Sequence, residues 1–155
     1  MDGAFDAYWQ QPTPSQQHLD SIRQALDATL NPRISNDVRK QALQHLEQLK
    51  AQPDAPHYGF TLADDWKQND AVRYYGLQLL EYAVRYRWSE YGEAQTEQLR
   101  TWVKCLAGGL REREDPIFLR NKIAQLWVEV AKRCWGDEWM AVSYTHLTLP
   151  TKRIV

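Results

Sequence analysis

Candidate catalytic side chains are scattered along the chain rather than grouped at spacings that support chemistry. The two cysteines, Cys105 and Cys134, share no metal-ligand spacing and have no adjacent base, so we expect small buried hydrophobic side chains. Asp64, Asp65 and the charged run 111–115 are better explained as a solvated helix end and a charged loop than as acid, base or metal ligands. No Gly-rich phosphate loop, nucleophile elbow or zinc spacing occurs, and the histidines are isolated: His18, His45, His57 and His146. The sequence therefore predicts a protein that is not an enzyme and needs no cofactor.

Composition limits the class of protein. The 155 residues are 43% hydrophobic and 25% charged, which fits one average domain or three to four units of a helical repeat. A net charge of −1 argues against a basic nucleic-acid domain, and DNA is not an expected partner. No apolar run approaches the ~18 residues of a membrane span, and residues 1–17 lack the features of a signal peptide. We expect a reduced, intracellular, soluble protein.

The elements that must position any functional residue are all helical. Apolar residues recur at spacings of three and four, and Pro32, Pro53 and Gly108–Gly109 mark helix ends. Asp115 is the expected cap of the last helix. The predicted helices cover about 15–30, 36–52, 56–67, 70–88, 94–107 and 116–134. The fold class is therefore all-α.

The predicted core consists of the apolar stripes of these helices and most of the large aromatic residues. Helix two should bury Val38, Ala42, Leu46 and Leu49, and helix six a stripe that begins at Ile117. The aromatic residues that we expect between helices are Trp66, Tyr74, Tyr75, Trp88, Trp102, Trp127 and Trp135.

The even-numbered helices resemble one another. Arg39, Arg73 and Arg120 align at offsets of 34 and 47 residues, and so do Gln44, Gln78 and Gln125. These offsets average about 40 residues, the period of HEAT or armadillo repeats. Repeated amphipathic helix pairs favour an α-solenoid of about three HEAT-type pairs. In such a solenoid the aligned residues should occupy similar positions on successive pairs. The face after helix six should be exposed, as the place where a further pair would pack.

Three segments carry a resemblance to a known family. They are RKQALQHLEQLK (residues 39–50), VRYYGLQLLEYAVRYRW (72–88) and LRNKIAQLWVEVAKRCW (119–135), followed by Trp139. They resemble the N-terminal part of the karyopherin-β (importin-β-like) nuclear transport receptors, and the exportin-5 branch in particular. The resemblance covers about residues 15–140. One departure is Gly136, where the family usually has proline after the tryptophan of helix six.

The resemblance implies a function and a set of contact residues. In the family, the second helices of the N-terminal pairs bind the small GTPase Ran in its GTP form, and the receptor carries cargo from nucleus to cytoplasm. Cargo would be structured RNA or protein, bound mostly by repeats beyond this segment, and nucleoporins are possible further partners. A protein of this kind shuttles between nucleus and cytoplasm. The implied Ran contacts are Arg39, Arg73, Tyr74, Gln78, Arg120, Asn121 and Lys122, although each could instead be a solvated flank or an intra-repeat pair.

The two ends of the chain differ from the helical part. We expect residues 1–14 to be disordered, residues 15–140 to form the repeats, and residues 141–155 to be a non-native tail. That tail lacks acidic residues and helical periodicity, and it resembles a translated sequencing adaptor; a genuine extended tail is the alternative. A second function also stays open, namely a short helical-repeat adaptor that binds a protein unrelated to Ran.

Overall fold

The structure, a computed structural model, describes residues 14–134, and this stretch is helical with no strand. Single 3-10 turns lie at Trp88–Glu90 and Gly109–Arg111. None of the described helices is both long and apolar enough to cross a membrane. Three predictions concern residues outside this range: those for the N-terminal segment up to residue 13, for Trp135 and Trp139, and for the tail. The helices are α1 (Gln16–Leu30), α2 (Asn36–Leu49), α3 (Ala55–Asp64), α4 (Asp70–Tyr86), α5 (Glu93–Gly108) and α6 (Ile117–Cys134).

Short polar side chains cap two of the described helix starts, those of α2 and α4. Ser35 Oγ accepts a hydrogen bond from the Val38 amide, and Asn69 Oδ1 accepts one from the Val72 amide, so each satisfies a backbone donor that the helix leaves unpaired. Three predicted helices are slightly too long at their C-terminal ends. Helix α3, for example, ends at Asp64 because the Asp65 carboxylate accepts the Lys67 amide and turns the chain.

The six helices form three stacked pairs, α1 with α2, α3 with α4, and α5 with α6. The second and third pairs stack through α4 against α6 and α3 against α5. A buried cluster that includes Leu80, Leu99 and Leu126 fills this junction, and a second cluster around Ile22 and Leu79 joins the first pair to the second. This arrangement is an α-solenoid of HEAT-type pairs, which confirms the predicted fold class.

Two glycines allow α3 and α4 to cross at very short distance. A Cβ on Gly76 would lie 2.6 Å from the Gly59 carbonyl oxygen, and a Cβ on Gly59 would lie 2.8 Å from the Gly76 carbonyl oxygen. Any larger residue at either position would push the two backbones apart. The tight crossing makes α3 and α4 the most closely packed pair and fixes how α4 presents its outer face.

Several core predictions are wrong, mostly for reasons of helix geometry. Ile117 is 74% exposed, because two residues of helix rotate it about 200° away from the fully buried Leu119. Cys105 is exposed for the same reason relative to Val103. Val38 is 45% exposed, because α2 packs mainly on α1 and only Leu46 of its predicted stripe is buried.

The aromatic prediction holds in part. Tyr75 and Trp102 are buried, and Trp102 stacks on the Phe60 ring at 5.1 Å between centroids. The remaining partly buried rings pack against the core, namely Tyr74, Trp88 and Trp127. Trp66 is the exception at 67% exposed, since it lies in the connection between α3 and α4 rather than on a helix face.

Candidate partner-binding site

Lys122 lies at the centre of the predicted contact residues. Its Nζ is 2.6 Å from Glu81 Oε1 on the neighbouring helix α4, and it lies 5.4 Å from the centroid of the Tyr74 ring. The Tyr74 ring in turn meets the Phe118 ring at 5.7 Å. The ion pair and the cation–π contact hold the ammonium group between α4 and α6. The structure thus brings together Tyr74 and Lys122, which the sequence predicted as separate contacts.

A second cluster of charged side chains lies closer to the C-terminal ends of α4 and α6. Arg85 Nη2 is 3.3 Å from Glu129 Oε2, and Arg133 Nη1 is 2.7 Å from Glu129 Oε1. Partial burial raises the pKa of Glu129, but the hydrogen bonds from Arg133 and Arg85 outweigh burial and bring it below 4.5. Glu129 therefore stays ionised and links two arginines across the helix junction.

These side chains form one continuous surface because the two helices carry them at the same spacing. On α4 and α6 alike the intervals are four, three and four residues, which keeps each set on one helix face. We call this surface the α4–α6 polar face; its members are Tyr74, Gln78, Glu81, Arg85, Phe118, Lys122, Gln125 and Glu129.

Two shallow cavities flank Arg85 on this surface. One, of about 190 Å³, reaches towards α2 and is lined by Lys50, Gln78, Tyr82 and Tyr86, among others. The other, of about 370 Å³, lies along α6 beside Gln125 and Glu129. Tyr86 is 66% exposed and Phe118 is 46% exposed, so the surface offers apolar as well as charged contacts.

Arg73 does not face solvent, so the prediction that it contacts a partner is wrong. Its side chain is buried, its Nη1 and Nη2 donate to the two carboxylate oxygens of Asp115 at 2.7 and 3.1 Å, and its Nε donates to the Ala63 carbonyl oxygen at 3.1 Å. The guanidinium ties the loop before α6 to α4. Asp115 is therefore the ion-pair partner of Arg73. The hydrogen bond from Arg73 is the main cause that lowers the pKa of the Asp115 carboxyl.

The three aligned arginines occupy different environments, so the predicted equivalence is also wrong. Arg39 is half-buried and donates to the Asn31 carbonyl oxygen at 2.8 Å, whereas Arg120 is exposed. Two contacts between α4 and α6, Tyr74–Phe118 and Arg85–Glu129, join residues 44 positions apart, whereas the sequence alignment has an offset of 47. Asn121 is exposed next to Lys122, whereas Arg120 is exposed on the opposite side of α6, about 200° from Phe118 and Lys122. Gln78 is half-buried within the α4–α6 polar face.

Comparisons with known proteins agree with this architecture. A family model described as the importin-beta N-terminal domain matches residues 42–108. Protein MSN5 of Saccharomyces cerevisiae is 37% identical over 130 residues, which is 84% of this chain and 10% of MSN5. Exportin-5 of Dictyostelium discoideum is 27% identical over 122 residues, covering 79% of this chain and 11% of that protein. Exportin-T of Homo sapiens is 35% identical over 103 residues, covering 63% and 10% respectively.

The chain is similar to exportin-type members of the karyopherin-β family. The predicted kinship with exportin-type members is confirmed. The chain spans about a tenth of the length of the curated relatives it matches. The matched importin-β N-terminal domain contains Tyr74, Gln78, Glu81 and Arg85, whereas the α6 half of the polar face follows it.

The sequence prediction missed half of the α4–α6 polar face. Glu81, Arg85 and Glu129 were not among the predicted contacts, and neither was Phe118. The i, i+4 pair Glu81–Arg85, with its nitrogen and oxygen 3.6 Å apart, could have been recognised from spacing alone. The pairing of Arg85 with Glu129 could not, because it depends on how the two helix pairs stack.

The groups considered for catalysis have structural partners. Asp64 Oδ1 is 3.2 Å from Arg113 Nη2, and Asp115 pairs with Arg73. Burial raises the pKa of the Cys105 and Cys134 thiols, so neither favours the reactive thiolate. Within residues 14–134, no group of three or more histidine, cysteine or acidic side chains could hold a metal ion.

Proposed function

We propose that this chain is part of a nuclear export receptor and contacts Ran in its GTP form through the α4–α6 polar face. The observation that carries the proposal is the continuous polar and aromatic surface on two stacked second helices of a karyopherin-β fold. Relatives named Exportin-5 and Exportin-T support the direction of transport. Cargo, structured RNA or protein, would be bound largely by regions outside this segment, and the receptor would shuttle between nucleus and cytoplasm.

The chemistry of the surface suits a folded protein partner. Phe118 supplies exposed apolar area on α6 and Tyr86 in the cavity beside Arg85, while Asn121 and Gln125 are exposed donors on α6. Aromatic and arginine side chains contribute most of the binding energy in many protein interfaces. The charged pairs on the surface are already neutralised within the chain, so a partner needs polar complementarity rather than a strong opposite charge.

Preference for one nucleotide state follows from linkage. A receptor releases cargo on GTP hydrolysis only if Ran-GTP and cargo each raise the other's affinity by the same factor. The chain would then act by binding rather than by catalysis, and we propose no enzymatic activity for it. Contacts with nucleoporins would use other parts of the receptor than this surface.

The experiment compares binding of the 155-residue chain to Ran loaded with a non-hydrolysable GTP analogue and to Ran-GDP. We expect at least tenfold preference for the GTP form. Arg85→Glu, on the α4–α6 polar face, should weaken binding by about tenfold, roughly 1.4 kcal/mol. Lys104→Glu, the same charge reversal on the exposed side of α5, is the matched control and should have no effect.

Two results would contradict the proposal. Equal affinity for both nucleotide states would remove the link to Ran-dependent transport and favour the adaptor alternative, a helical-repeat protein that binds an unrelated partner. Equal loss of affinity in the α5 control and in Arg85→Glu would show that the α4–α6 polar face is not the contact surface.

A further inference from the structure

A cleft of about 250 Å³ lies where the start of α1, the last turns of α2 and the start of α3 meet. Its lining includes the buried ring of Tyr58 and the exposed imidazoles of His18 and His45. Leu49 supplies an apolar wall. We call it the α1–α3 cleft; it is separate from the α4–α6 polar face.

The polar groups in the α1–α3 cleft are held in place by contacts within the chain. The Tyr58 hydroxyl and His18 Nδ1 share a hydrogen bond of 2.7 Å, and their rings meet edge to face with centroids 5.7 Å apart. Burial raises the pKa of the Tyr58 phenol, and the negative charge of Asp54 raises it further, so the phenol stays neutral. The amide side chains of Gln48 and Gln52 lie at the exposed rim.

Among the described residues, the α1–α3 cleft is lined by a single carboxylate, that of Asp54. Asp54 occupies the N-cap position of α3, yet its carboxylate makes no capping hydrogen bond. No lysine or arginine is among the described residues that line the cleft. Helix α2 ends at Leu49, so the partially negative carbonyl end of this helix also lies here. The last carbonyl oxygens of α2 already accept hydrogen bonds from the Tyr75 hydroxyl and from the amides of residues 50–52, so they are not free for a ligand. The Asp54 carboxylate and the amide oxygens of Gln48 and Gln52 favour a cationic ligand with several hydrogen-bond donors.

We propose that the α1–α3 cleft binds the guanidinium side chain of an arginine in a partner polypeptide. The planar guanidinium carries five N–H donors, which match the Asp54 carboxylate and the side-chain oxygens of Gln48 and Gln52. Its methylene stem packs against Leu49. The cleft is smaller than the roughly 300–1,000 Å³ typical of whole small-molecule sites, and it suits one long side chain. This binding does not depend on Ran.

The test is a nuclear magnetic resonance titration of the isotope-labelled 155-residue chain with N-acetyl-arginine amide. N-acetyl-citrulline amide is the matched probe, since it has nearly the same shape but no charge. The arginine probe should shift amide signals around Gln48, Gln52 and Asp54, with at least tenfold higher affinity than the citrulline probe. Asp54→Asn should weaken arginine binding at least tenfold, because it removes the charge and little else.

Asp37→Asn makes the same change of charge at the other end of α2, about 20 Å away, and should leave binding unchanged. Gln52→Leu provides a second variant should the first fail to fold, and it should weaken binding severalfold. Equal affinity for the arginine and citrulline probes, unchanged arginine binding by Asp54→Asn or Gln52→Leu, or shifts confined to the α4–α6 polar face would each overturn the proposal.

Discussion

Replacing Asp115 by asparagine should destabilise the chain far more than the same replacement at Asp64. Both carboxylates pair with an arginine across the junction of the second and third helix pairs. The Arg73 and Asp115 side chains are only 4% and 9% exposed, whereas those of Arg113 and Asp64 are 27% and 36% exposed. The two substitutions therefore make the same chemical change, one in a buried ion pair and the other in an exposed ion pair.

The burial of the pair sets the expected magnitude. Removing one partner of a buried ion pair costs about 3–5 kcal/mol, because the other charge stays buried without compensation. Arg73 Nε keeps its bond to the Ala63 carbonyl oxygen, so we expect about 3 kcal/mol for Asp115→Asn, at the lower end of that range. The exposed Asp64–Arg113 pair should contribute about 1 kcal/mol or less.

Urea unfolding followed by far-ultraviolet circular dichroism measures both variants against the parent chain. A free energy of unfolding for Asp115→Asn within about 1 kcal/mol of that for Asp64→Asn would refute the reasoning. The double replacement Arg73→Met with Asp115→Leu should recover most of the loss, since it removes both buried charges together.

Two further predictions follow from the same contacts and from the α3–α4 crossing. Because Arg73 lowers the pKa of Asp115 below 3.8 in the folded chain, the pair's contribution is fully present above that value and is lost as the pH falls through the lower, folded pKa. The stability gap between the parent chain and Asp115→Asn should therefore narrow in urea titrations below about pH 4, and a constant gap would contradict it. Gly76→Ala should cost about 1–3 kcal/mol or more, because the added Cβ would lie 2.6 Å from the Gly59 carbonyl oxygen. Gly108→Ala, where a Cβ meets nothing within 4 Å, should stay within about 1 kcal/mol of the parent chain in the same assay.

The sequence predicted the helices well because each signal is local. Apolar residues at spacings of three and four located all six helices, and the pairing into repeats followed from their order. Helix ends were less accurate, as at Asp65, where a side chain competes for a backbone amide. The Gly59–Gly76 crossing was not predicted, since it depends on two glycines that meet only in the folded chain.

The site was harder to predict than the fold, because contact surfaces depend on how helices stack. Arg73 and Arg120 align in sequence but lie in opposite environments, one buried and one exposed. Lys122 and Tyr74 were predicted individually, whereas their mutual contact and the role of Glu81 required the structure. Equal residue types at equal offsets did not imply equal exposure.

The most direct test of the α4–α6 polar face as the Ran contact is hydroxyl-radical footprinting of the chain with and without Ran. Phe118, 46% exposed in the chain alone, reports on the face, and Tyr86, 66% exposed, reports on the cavity that flanks it; the exposed Cys105 on α5 is the internal control. We predict that Ran-GTP, but not Ran-GDP, lowers oxidation of Phe118 and Tyr86 and leaves Cys105 unchanged. Protection of Cys105 without protection of Phe118, or identical footprints in the two nucleotide states, would contradict the account.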